Sequence, residues 1–87
     1  MIDTKLTPPT DEQKLCQFNI DFIQRLIEHE QSKISFATIK LNYGNPPPSV
    51  ITEAKKIIEN ARAKIGRLDF ELRALQLKLR VMSNDRH

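Results

Sequence analysis

Apolar residues recur along this chain at steps of three and four, and the longest unbroken run lies in its second half. Ala54, Ile58, Ala61, Ile65, Leu68, Leu72, Leu75, Leu79 and Met82 follow one another at that spacing for four heptads, which is the period of a helix packed along its whole length. The pattern predicts a long helix, with Ser49 as its cap and Val50 to Met82 as its body, roughly 50 Å long at 1.5 Å per residue. A second stripe, Ala63, Phe70, Ala74, Leu77 and Val81, joins the first from about residue 63 onward. A helix in a two-helix hairpin needs one apolar face, so the surplus calls for a further partner, and self-association is the simplest one. Gly66 interrupts this helix at a cost of about 1 kcal/mol relative to alanine, and its bare backbone would allow close approach by another chain.

The first half carries a second helical signal. Thr10 and Gln13 have the spacing of a capping box, and Asp11 and Glu12 complement the positive end of the helix dipole. A first helix is therefore expected over residues 10–31. Its apolar residues form two adjacent stripes, Leu15, Phe18, Phe22 and Leu26 beside Cys16, Ile20, Ile23 and Ile27, a face wider than one partner helix covers. Residues 1–9 end in Pro8-Pro9, which donate no backbone hydrogen bond, and read as an extended arm.

Residues 32–48 read as a joint. Ser32 or Ser35 can cap a short helix that Gly44 closes in a left-handed conformation. A strand competes with it, because Ile34, Phe36, Thr38 and Lys40 alternate with Ser35, Ala37, Ile39 and Leu41. The short helix is preferred, since a lone strand has no partner elsewhere in the chain. Pro46-Pro47-Pro48 implies a stiff extended connection into the long helix. The tail after Met82 is polar and expected to fray.

The expected architecture is thus all-α: one domain over residues 1–87, a helical hairpin with a long C-terminal helix, assembling as a compact homo-oligomer. Length strengthens the oligomer expectation, because a chain of 87 residues buries only about 60–65% of its unfolded surface. Cys16 is the single cysteine, so no intramolecular disulfide can staple the hairpin, and no Cys or His pair has zinc spacing. The N-terminus lacks the apolar core of a signal peptide, and no apolar run nears the ~20 residues that span a bilayer. These features lead us to expect an intracellular protein. The formal net charge of +3 is mild; it permits an anionic ligand without implying a duplex binder.

Candidate chemistry is concentrated at the joint. His29 lies in a charged stretch, His87 is the last residue, and Cys16 falls within an apolar stripe where a buried thiol is the ordinary outcome. There is no phosphate-cradling glycine loop and no acid pair in a catalytic setting, so neither an enzyme nor a cofactor is expected. Basic and acidic residues alternate along the long helix as on a solvated flank. In the joint, by contrast, Lys33, Ser35, Phe36, Thr38, Lys40 and Tyr43 combine charge and hydroxyls for phosphate with rings for stacking on a base. The competing reading is that Phe36, Ile39 and Leu41 plug the end of the hairpin while the lysines are solvated.

In length, proline-rich joint, long second helix and surplus apolar face, the chain resembles the small phage-encoded proteins that suppress CBASS immunity by sequestering cyclic nucleotide signals. Those proteins share a helical-hairpin domain with sponges that block Thoeris signalling. In that family an aromatic residue early in the first helix stacks on a nucleobase, and a Lys-x-Thr pair about fifteen residues later holds phosphate. Here Phe18 stands fifteen residues before Lys33, and Lys33-Ile34-Ser35 presents the lysine and a hydroxyl. Serine keeps the hydroxyl of threonine without its methyl, and phenylalanine keeps the stacking face of tyrosine without its hydroxyl.

The resemblance implies a non-enzymatic sponge for cyclic di- or oligonucleotides, such as a 3′,3′-cyclic dinucleotide, acting in the cytoplasm of an infected bacterial host. It further implies that oligomerisation brings Phe18 near Lys33 and Ser35 of the same or a neighbouring chain. A separate site for cyclic trinucleotides between subunits is also implied, for which Asn19, Arg67 and Arg73 have suitable chemistry. The alternative is a small protein-interaction module, an adaptor or inhibitor that lays its surplus apolar face on another protein.

Overall fold

The computed structural model describes residues 9–84, which form two antiparallel helices, α1 (Asp11–Asn42) and α2 (Pro48–Asn84), with no strand among the described residues. The expected arm at residues 1–9 lies, but for Pro9, outside the described residues, as do the last three residues of the expected tail.

α1 begins where the capping box places it. Thr10 is extended at φ −72° and ψ 164°; its Oγ1 accepts from the Gln13 amide at 3.1 Å, and Gln13 Oε1 accepts from the Thr10 amide at 2.9 Å. The helix does not end at Gln31, as the sequence led us to expect, but continues through the joint to Asn42. Ser32, Ser35 and Thr38 do not start a new element. Ser32 Oγ donates to the Glu28 carbonyl at 3.1 Å and Thr38 Oγ1 to the Ile34 carbonyl at 2.7 Å, the bond a helix-interior hydroxyl makes one turn back. Glycine and proline, which would break the helix, are absent from residues 11–43. The expected short helix is therefore the last third of α1, and the strand does not form.

The turn needs only five residues. Tyr43 leaves the helix at φ −97° and ψ 109°, and Gly44 follows at φ +64°, the left-handed closure expected of it. Pro46 and Pro47 lie outside the helices, but Pro48 is the first residue of α2, so Ser49 is not its cap. The Pro47 carbonyl accepts from the Val50 and Ile51 amides at 3.0 and 3.1 Å. Proline suits this first position because its φ is already helical and no donor is required there. At the other end α2 runs to Asn84, two residues past the expected stop.

Of the two stripes on α1, the one that meets α2 is Cys16, Ile20 and Ile23, each at most 8% exposed, with Ile27 half-buried. On α2 the long heptad run faces α1, with Ala54 and Ala61 at 1% and 2% exposure. Ile58, Ile65, Leu68, Leu72, Leu75, Leu79 and Met82 are half-buried. Ala37, Ala54 and Ala61 are small enough to bring the helices close at the joint end. The register is fixed by Cys16 Sγ, which donates to the Leu75 carbonyl at 3.4 Å, and by Glu30 beside Lys64.

The molecule measures 67 × 21 × 15 Å, with a radius of gyration of 19.7 Å against about 12 Å for a compact domain of this length. In such a rod each helix has one neighbour. The stripe Leu15, Phe18, Phe22 and Leu26 stays 36–65% exposed, and Phe70, Leu77 and Val81 stay 49–78% exposed. The apolar surplus read from the sequence is thus a physical feature of the single chain.

Candidate ligand site

One flank of α1 carries Leu15, Phe18, Phe22, Leu26, His29, Lys33, Phe36 and Lys40 at steps of three and four, and every one of them is exposed. The first half of this flank is apolar; the second half is basic and aromatic. Where the second half meets α2, Lys33, Phe36 and Lys40 of α1 and Asn60 and Lys64 of α2 line a groove of about 460 Å³ floored by Ala37, Ile57 and Ala61. That volume lies within the ~300–1,000 Å³ common for small-molecule sites. Three lysines surround one carboxylate, Glu30, so the groove carries a net positive charge.

Glu30 organises the cluster. It is 4% exposed, and its Oε2 accepts from Lys33 Nζ at 3.2 Å and lies 3.6 Å from Lys64 Nζ. Burial by itself would raise the pKa of this carboxyl. The hydrogen bond from Lys33 and the positive charge of Lys33, Lys64 and His29 outweigh it and hold the pKa below the ordinary value of 4.5. Lys33 and Lys64 remain about half exposed, at 44% and 53%, so each has surface left for an incoming anion. Lys40 takes no part in the Glu30 network.

A lowered folded-state pKa sets the sign of a pH effect. The ionised carboxylate stabilises the hairpin above the unfolded value, and that contribution is lost as the pH falls through the lowered folded value. Thermal melts from pH 7 to about 3 are expected to show a smaller loss for Glu30→Gln than for the wild type. Parallel curves would remove Glu30 from this role.

The other sequence candidates fall into separate places. Phe18 is 65% exposed and stacks on Phe22, with ring centroids 6.4 Å apart and planes 11° from parallel. Because α1 is continuous, Phe18 and Lys33 are about 22 Å apart along its axis, so they cannot enclose one ligand within a chain. Ser35 is exposed, two residues on from Lys33 and hence on a different side of the helix; Phe36 is the residue that accompanies Lys33. The Thr38 hydroxyl is engaged by the Ile34 carbonyl, and Tyr43 is 81% exposed at the turn. Of the three residues that could plug the hairpin end, Phe36 and Ile39 are 68% and 59% exposed and do not, whereas Leu41 is half-buried.

Asn19, Arg67 and Arg73 are not gathered into one site. Arg67 lines an outer depression on α2 with Gly66 and Phe70, whereas Arg73 Nε pairs with Asp69 at 3.1 Å. Asn19 is half-buried on α1. Lys64 and Asn60 were not anticipated from the sequence, because they join the groove from the other helix. Folding the two periodic stretches back about the Gly44–Pro47 turn is the signal that would have placed Lys64 level with Glu30.

Among the described residues, no group of His, Cys, Asp or Glu is placed to hold a metal ion. Nor is any described helix long and apolar enough to cross a membrane. In class the molecule is a two-helix hairpin with a basic, aromatic groove and uncovered apolar faces. Comparison with known proteins gives no relative: no family model matches the sequence, and neither a curated protein nor a solved structure matches it.

Proposed function

We propose that this protein binds and sequesters a cyclic di- or oligonucleotide without chemical conversion, as a homo-oligomer, and thereby suppresses signalling of the CBASS type. The observation that carries the reading is the convergence of Lys33, Lys40 and Lys64 around exposed Phe36 in one groove. Lysines satisfy phosphodiester charge, and an exposed ring offers a base a stacking face worth about 1–3 kcal/mol. A ligand with two phosphodiesters suits two such groups related by a symmetry axis, which a homo-oligomer supplies. Sequestration then works by mass action: an abundant, tight binder lowers the free messenger available to an effector.

Isothermal titration with a 3′,3′-cyclic dinucleotide tests this directly. Saturable binding with the ligand recovered intact is the expected result. No heat at tens of micromolar ligand, about 6 kcal/mol of binding free energy, would end the proposal.

The uncovered stripe Leu15, Phe18, Phe22 and Leu26 favours a second reading, an adaptor or inhibitor that docks on a different protein. A purified chain that stays monomeric and ignores cyclic nucleotides would favour it.

A further inference from the structure

Two apolar strips lie outside the ligand groove, and their charged surroundings differ in sign. The α1 strip is Leu15, Phe18, Phe22 and Leu26, and residues 11–31 around it carry four exposed acidic residues, Asp11, Glu12, Asp21 and Glu28, against two basic ones, Lys14 and Arg25. The outer α2 strip runs through Ala63, Phe70, Ala74, Leu77 and Val81, all exposed. Residues 60–84 around it carry six basic residues against two acidic ones. Both strips sit toward the open end of the hairpin, where Cys16 lies beside Leu75. Charges there do not cancel across the helices: among the described residues, Asp11, Glu12 and Asp21 form no ion pair, nor do Arg67, Lys78 and Arg80.

Gly66 adds an independent observation. A Cβ built on it would meet nothing within 4 Å, so packing inside the chain gives no reason for a glycine, which weakens the helix by about 1 kcal/mol relative to alanine. It lies beside Arg67 and Phe70 in the outer depression of α2, where a second helix can approach the bare backbone closely.

We propose that the occupant of each strip is a second copy of this chain, bound head to tail: the acidic-bordered α1 strip of one copy seats on the basic-bordered α2 strip of the next. Pairing α2 with α2 would set basic borders against each other, and α1 with α1 would do the same for acidic ones. Like charges so placed oppose association, whereas the mixed pairing is complementary. The α2 strip lies on the side of its helix turned away from α1, while the α1 strip lies on the groove flank. One chain can therefore give its α1 strip to one neighbour and receive another on α2, and such heterologous contacts close into rings when the rotation permits. This inference rests on the self-association proposed above and specifies its faces.

The test is sedimentation velocity on the full chain, on Phe18→Glu, on Phe70→Glu and on their equal mixture. The wild type should assemble beyond a dimer, and each variant should be monomeric, because each has lost one of its two strips. The mixture should give a one-to-one dimer, joined through the intact α1 strip of Phe70→Glu and the intact α2 strip of Phe18→Glu. If a variant alone loses its helical circular dichroism, mixing should restore it, so a folding defect does not hide the result. Continued self-association of either variant, a mixture that stays monomeric, or a wild-type dimer overturns the head-to-tail arrangement and leaves self-association standing. A monomeric wild type overturns both.

Discussion

Ile20→Ala is expected to lower the melting temperature by about 10–20 °C at every protein concentration. Ile20 is 4% exposed at the centre of the α1 contact stripe. Truncating such a side chain removes its transfer free energy and leaves a void that two helices close only in part, a loss of about 2–3 kcal/mol at the low end of core truncations. In a hairpin without a third layer, that is a large share of the whole. Phe22→Ala makes the contrast, because Phe22 is 54% exposed. Its substitution should leave dilute protein almost unchanged and reduce only the part of the melting temperature that rises with concentration, as expected of a group stabilised by association. Equal losses for both variants at all concentrations would contradict the assignment of the two stripes to inside and outside.

That assignment also shows what the sequence could and could not disclose. Period alone revealed both stripes on α1 and both on α2, because a step of three and four has one structural meaning over four heptads. Which α1 stripe faces inward was not legible, since Phe18 and Ile20 are both apolar and only the register with α2 separates them. The continuity of α1 through residues 32–42 is hidden in the sequence for a local reason. Ser32 and Ser35 are cap-forming residues and Ile34, Thr38 and Ile39 are β-branched, so local preference points to a new short helix, with a strand as its competitor. In the folded chain, Ala37 at 2% exposure anchors that segment against α2, and the Ser32 and Thr38 hydroxyls bond back into the helix. Tertiary packing prevailed over local preference.

That continuity also rearranges the candidate site. A joint permits Lys33 and Ser35 to share a ligand, but a helix turns them to different sides and instead aligns Lys33 with Phe36 and Lys40. Half of the groove was therefore legible as residue types in the right segment. The other half, Asn60 and Lys64, comes from residues distant in sequence that only the hairpin register brings alongside.

Among substitutions at the groove, Lys40→Ala and Phe36→Ala separate ligand binding from folding better than Lys33→Ala does. Lys33 and Lys64 both neutralise Glu30, and removing either leaves a buried carboxylate less compensated, so a loss of affinity would mix with a loss of stability. Lys40 lines the groove without that duty, and Phe36 is 68% exposed. Lys40→Ala should weaken binding of a 3′,3′-cyclic dinucleotide by about tenfold or more, from a charge-assisted bond worth about 1.5–3 kcal/mol. It should also flatten the dependence of affinity on salt. Phe36→Ala should cost about five- to a hundredfold through lost stacking and leave the salt dependence unchanged. Melting temperatures of both variants should stay within a few degrees of the wild type, since neither side chain is buried. If both retain full affinity while the wild type binds, the ligand sits elsewhere, and the apolar half of the same α1 flank becomes the surface to test.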